Sequence, residues 1–174
     1  MRRHVLMLAA VLALLLSIHT GQAFDPRKVD LLMFRLGMSE EQVASLFAVQ
    51  GIPMESLSGQ RHACPTRPKG GCLATVTAPT RDGVLELHFR ADEAGGGADT
   101  LDRIVYRLRF HTLMELHLVR ESVLARYGMP TVQNPPTWCA APNDDGACPA
   151  DQSRLTFQIG VEPTSGGTLT LVGP

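Results

Sequence analysis

Apolar and polar positions along the chain repeat with two periods. From Val84 to Arg90, Leu85, Leu87 and Phe89 fall on one face and Glu86, His88 and Arg90 on the other. From Arg103 to Phe110, Ile104, Tyr106, Leu108 and Phe110 oppose Arg103, Val105, Arg107 and Arg109. Leu155, Phe157, Ile159 and Val161 alternate with Thr156, Gln158 and Gly160. Period two marks a half-buried strand. With strand-like segments at Leu73 to Ala78 and Thr168 to Val172, the pattern predicts an antiparallel sheet with one buried and one open face. Arg81-Asp82-Gly83 predicts a hairpin turn.

Helical spacing appears in three other places. Asp25 before Pro26 offers an N-cap, and Val29, Leu32, Met33 and Leu36 then share one face, which predicts a short first helix over Phe24 to Leu36. Ser39-Glu40-Glu41-Gln42 is a capping box, in which the hydroxyl accepts from the third helical N–H and the Gln reaches back. Val43, Leu46 and Phe47 follow as an apolar stripe. Thr112-Leu113-Met114-Glu115 predicts a second box, with Leu116, Val119, Val123 and Tyr127 behind it. Gly51 and Pro53 stop the earlier helix, Gly128 and Pro130 the later one.

Helix, Gly-x-Pro, loop, close cysteine pair and strands thus recur in the same order. The recurrence predicts an α+β fold of two helix-plus-antiparallel-sheet units in tandem, residues 24–110 and 111–174, with the helices packed on one face of the sheet.

The first 23 residues read as a signal peptide. Arg2 and Arg3 form a positive n-region, Val5 to Leu16 is apolar, and Gly21-Gln22-Ala23 supplies small residues for cleavage. The apolar run is short for a membrane span. A periplasmic or secreted domain of residues 24–174 is the expectation. The whole chain carries 16 basic and 17 acidic residues, and loss of Arg2 and Arg3 makes the balance more acidic. That argues against a nucleic-acid partner or an anionic membrane surface, and with no second apolar stretch long enough to span a bilayer, no stable membrane insertion is expected after cleavage.

The chain holds four cysteines, an even count that favours disulfides in an exported protein. Sequence proximity and position in the repeat favour Cys64–Cys72 and Cys139–Cys148 among three connectivities. The spacings lack the tight C-x2-4-C form of structural zinc sites, so no metal and no cofactor are expected. Glu40-Glu41 suits a helix N-terminus, Asp144-Asp145-Gly146 a turn, and Gly95-Gly96-Gly97 a linker. Nothing marks a nucleophile elbow or other catalytic constellation, and a non-catalytic protein is expected. Trp138 beside Cys139 reads as a residue packed on a disulfide. The candidate binding surface is the open sheet face, where His88, Arg90, Arg103, Arg107 and Arg109 would form a basic stripe on neighbouring strands; Arg is enriched at binding hot spots.

Leu36-Gly37-Met38-Ser39-Glu40-Glu41-Gln42-Val43, continuing to Leu46, Gly51 and Pro53, resembles the helix entry of the SmpA/OmlA type (BamE-like) of small bacterial outer-membrane lipoproteins. The match covers about 18 residues. The resemblance implies helices against a small antiparallel sheet, and the tandem arrangement is similar to that of β-lactamase inhibitor proteins. No cysteine follows the apolar run until Cys64, so the lipid anchor of those lipoproteins is not expected. Together these features suggest a soluble periplasmic protein-binding or scaffolding domain whose partner is another envelope protein, or alternatively a secreted inhibitor of a hydrolase.

Overall fold

A computed structural model describes residues 25, 28–62, 72–90, 99–160 and 166–174. The expected signal peptide, the Gly95–Gly97 linker and Cys64 lie outside these residues. Eight strands form one antiparallel sheet in the order β1-β2-β3-β4-β8-β7-β6-β5. The strands are β1 Ser58–His62, β2 Cys72–Thr80, β3 Gly83–Arg90, β4 Thr100–Leu108, β5 Val132–Gln133, β6 Pro136–Cys139, β7 Arg154–Ile159 and β8 Gly167–Val172. Among the described residues two α-helices accompany them, α1 Glu40–Val49 and α2 Leu113–Tyr127.

This architecture corrects the expectation of two helix-plus-sheet units in tandem with helices packed on the sheet. β4 pairs with β8 from Arg103–Val172 to Leu108–Gly167, so the strands of both chain halves form one continuous sheet. Pairing those strands removes two open edges and satisfies their backbone groups. The helices are a minor component. Only Val43 and Phe47 are buried in α1, and only Val123 in α2.

The core is built by register. Val76, Leu87, Ile104, Leu171, Leu155 and Trp138 stand opposite one another in a row across six strands. All are at most 2% exposed. Ala78, Leu85, Tyr106, Leu169 and Phe157 form the adjoining row. Both rows belong to the single core cluster, which Val43, Phe47 and Val123 join.

The helix ends follow their sequence signals. Ser39 Oγ accepts from Gln42 N at 3.3 Å, and Gln42 Oε1 accepts from Ser39 N at 2.9 Å. At α1's end Gly51 N–H donates to Ala48 O at 2.9 Å and Ile52 N–H to Phe47 O at 3.0 Å, with Gly51 at φ 74°. That is a Schellman stop. The α2 box is half as expected. Thr112 Oγ1 accepts from Glu115 N at 3.2 Å, but the Glu115 carboxylate accepts from His111 N at 2.6 Å instead of closing back on Thr112.

The expected first helix is corrected over its described residues. Leu31 and Phe34 exchange backbone hydrogen bonds of 2.9 and 3.1 Å across a tight turn. Leu32 and Met33 occupy its corners at φ 53° and 75°. Left-handed backbone costs a residue with a side chain about 1 kcal/mol or more. Both side chains are also large, apolar and exposed, at 42% and 48%.

The hairpin between β2 and β3 falls where expected, with Thr80 paired to Gly83 and Arg81-Asp82 at the tip. Gly83 is required by space. A Cβ there would lie 2.0 Å from the Arg107 carbonyl oxygen on β4.

Candidate functional site

The buried rows leave every second strand residue on the other face of the sheet. Three rows cross it. The first runs Thr75, His88, Arg103, Val172, Arg154 from β2 to β7. The second runs Thr77, Glu86, Val105, Thr170, Thr156, Thr137. The third runs Pro79, Val84, Arg107, Thr168, Gln158. Neighbouring strands stand about 4.8 Å apart, so side chains along a row are in reach of one another.

His88, Arg103 and Arg107 do share this face, but the stripe is not uniformly basic. Arg107 grips Glu86 with both arms of its guanidinium, Nε to Oε1 at 2.8 Å and Nη2 to Oε2 at 3.2 Å. The pair is diagonal between β3 and β4, a favoured cross-strand arrangement. These hydrogen bonds hold the Glu86 carboxyl below its ordinary range and raise the Arg107 guanidinium. His88 Nε2 lies 3.7 Å from Glu86 Oε2. Arg90 is neutralised by Asp102, with Nη2 to Oδ1 at 2.8 Å. Arg109 follows β4 outside the strand, where its backbone N–H donates to the Asp82 carbonyl at 2.9 Å.

Two features of this surface escaped the sequence. The counter-charges Glu86 and Asp102 cancel two of the four expected arginines, Arg107 and Arg90. Arg154 adds a cation from the second half of the chain, brought into the His88–Arg103 row by the β4–β8–β7 register. The surface therefore spans the centre of the sheet. Glu86 shares the alternating polar face of its strand with His88 and Arg90 in the sequence, but its pairing with Arg107, 21 positions away, and that of Asp102 with Arg90 both join different strands. The second feature, too, requires knowing which strands pair.

The other singled-out residues have structural roles. Cys139 and Cys148 form a disulfide, as expected. Cys72 is also disulfide-bonded, and the Cys64 end of its expected bridge lies outside the described residues. Trp138 is 0% exposed. Its Nε1–H donates to the Gly128 carbonyl at 3.0 Å, and its ring meets Tyr127 edge-on at 6.2 Å. It thus fastens the end of α2 to β6. Burial pushes the Tyr127 hydroxyl pKa up, while its O–H donates to the Asp30 carbonyl at 3.1 Å. The disulfide closes an exposed loop braced by Asn143, whose Oδ1 accepts from Ala147 N at 2.7 Å. Asp144 and Asp145 sit at its turn, as expected.

Among the described residues, no group of three or more His, Cys, Asp or Glu could hold a metal ion. Among those residues, too, no helix is long and apolar enough to cross a membrane. Comparisons with protein-family models, curated proteins and solved structures gave no match.

Proposed function

We propose that the chain is a non-catalytic, exported protein-binding domain of the cell envelope, acting through the open face of its sheet. The observation that carries this reading is the row of His88, Arg103 and Arg154 with Val172 between the two arginines. It lies on the face opposite the core, next to a row lined by threonines. Arginine beside a small apolar area is a frequent composition of protein contact surfaces. An acidic patch on another envelope protein is the complementary partner. The signal-like first 23 residues support the periplasmic or secreted location. The Leu36–Pro53 resemblance to SmpA/OmlA-type proteins supports the envelope setting.

The reading predicts that Arg103→Glu/Arg154→Glu, still folded by circular dichroism, loses at least tenfold of the capture of its partner from an envelope extract. Unchanged capture by the folded variant would overturn the sheet-face assignment. A second reading, a secreted inhibitor of a hydrolase, is favoured by the exposed loop that the Cys139–Cys148 disulfide closes. It predicts a captured hydrolase whose turnover is blocked, with the block relieved by substitutions in residues 140–147.

A further inference from the structure

The core side of the sheet holds a groove that the sheet-face reading does not use. Its volume is about 490 Å³, within the range of small-ligand sites. Leu32, Met33, Phe47, Ile52, Ala78 and Leu85 provide apolar walls. Thr80, Arg81, Asp82 and Tyr106 provide polar groups.

Two independent observations point to a ligand. The first is the Leu31–Phe34 turn. It holds two large apolar residues in left-handed backbone at φ 53° and 75°, where a solvent-exposed turn would favour Gly or Asn. Strain kept at a cavity wall is a mark of a functional surface. The second is a buried donor. Tyr106 is 7% exposed, and its hydroxyl lies 3.2 Å from Thr80 Oγ1. The two hydroxyls carry two protons and use one between them, so the pair retains one donor for an acceptor in the groove. Thr80 and Arg81 are consecutive, which puts a guanidinium at the same end. Arg81 makes no ion pair or side-chain hydrogen bond among the described residues. Asp82 at the rim offsets part of that charge, so the hydroxyl pair fixes the acceptor's position.

We propose that this groove binds a small amphipathic carboxylate. Its unbranched apolar chain lies along the Leu32-Met33 turn and the end of α1, and its carboxylate faces the Tyr106–Thr80 pair and Arg81. The site is separate from the open sheet face and does not depend on its reading.

Calorimetric titration with decanoate, below its micelle concentration, tests the proposal. One-site saturable binding is expected, with hexanoate at least tenfold weaker through lost apolar contact and decanol about tenfold weaker through the lost charge-assisted hydrogen bond. Tyr106→Phe and Arg81→Gln should each weaken decanoate about tenfold. Met33→Gly separates strain from function. It should raise the melting temperature by roughly 3 °C by relaxing the left-handed position, yet weaken decanoate binding several-fold. Absence of saturable binding, equal affinity for decanol and decanoate, or unchanged affinity in both polar variants would overturn the proposal. A more stable Met33→Gly protein with unaltered binding would remove the turn from the site.

Discussion

Gly83→Ala isolates how tightly β3 lies against β4. The added Cβ would sit 2.0 Å from the Arg107 carbonyl oxygen, 2.9 Å from the Arg107 carbonyl carbon and 3.1 Å from the Leu108 Cα. Cβ contacts under 3.0 Å are essentially never seen, so the gap must widen by about 1 Å. All three clashing atoms are backbone, and β4 is pinned on its far side by β8, with Leu108 paired to Gly167. No flexible side chain can yield. Overpacking of this kind costs about 1–3 kcal/mol, and a rigid backbone neighbour places Gly83→Ala near 3 kcal/mol. Gly51→Ala is the matched control. Gly51 stands at φ +74° with nothing within 4 Å of its virtual Cβ, so it loses only its conformational freedom, about 1 kcal/mol. Urea unfolding of the oxidised protein, followed by the fluorescence of the single, fully buried Trp138, measures both. Equal losses in the two variants, or a Gly83→Ala loss below about 1 kcal/mol, would refute the close-approach argument.

The Cys139–Cys148 bridge spans 9 positions, for which loop-closure entropy gives about 2.6 kcal/mol. The Cys139→Ser/Cys148→Ser protein should lose about that much in the same assay, whereas a loss under about 1 kcal/mol would mean that the Asn143-braced loop orders itself without the bridge. The Glu86–Arg107 pair gives a pH dependence. Because the folded Glu86 pKa is depressed, its stabilisation is present above the unfolded glutamate value and fades as pH falls through the folded value. Arg107 is 58% exposed, so screening limits the contribution to about 0.5–1 kcal/mol. Glu86→Gln should therefore be less stable by that amount near pH 7 and match the parent once Glu86 is protonated. A difference that persists in acid would point to a cause other than charge.

Three strands were legible because their residues alternate between core and open face, and two more as strand-like segments. β1 was not. Ser58, Gly59, Gln60, Arg61 and His62 contain no apolar residue, and this edge strand is defined by backbone pairing with β2. β5 and β6 are too short for a period and lie in a stretch that reads as a Pro-rich loop. Alternation assigns a residue to a face but does not name the strand beside it. That is why two helix-plus-sheet units in tandem were expected, with the merging of their sheets left open, and one eight-stranded sheet is found. The same limit applies to the site. His88, Arg103 and Arg107 were placed on the correct face, whereas the Glu86 clasp and the arrival of Arg154 depend on register. At Leu31–Phe34 an apolar spacing suited to a helix instead serves a turn, whose left-handed corners no propensity favours for Leu or Met.

The β4–β8 pairing has a consequence for how the chain reaches its native state. β8, the last strand in sequence, occupies the middle of the sheet, where Ile104 meets Leu171 and Leu171 meets Leu155. Until it is in place, β4 and β7 each present an unpaired inner edge flanked by core side chains. Contacts between residues so distant in sequence form slowly, because loop closure must precede them. The centre of this sheet is thus available only to a chain carried through to Val172, and truncation within β8 would leave two sticky half-sheets in place of one slightly shortened protein.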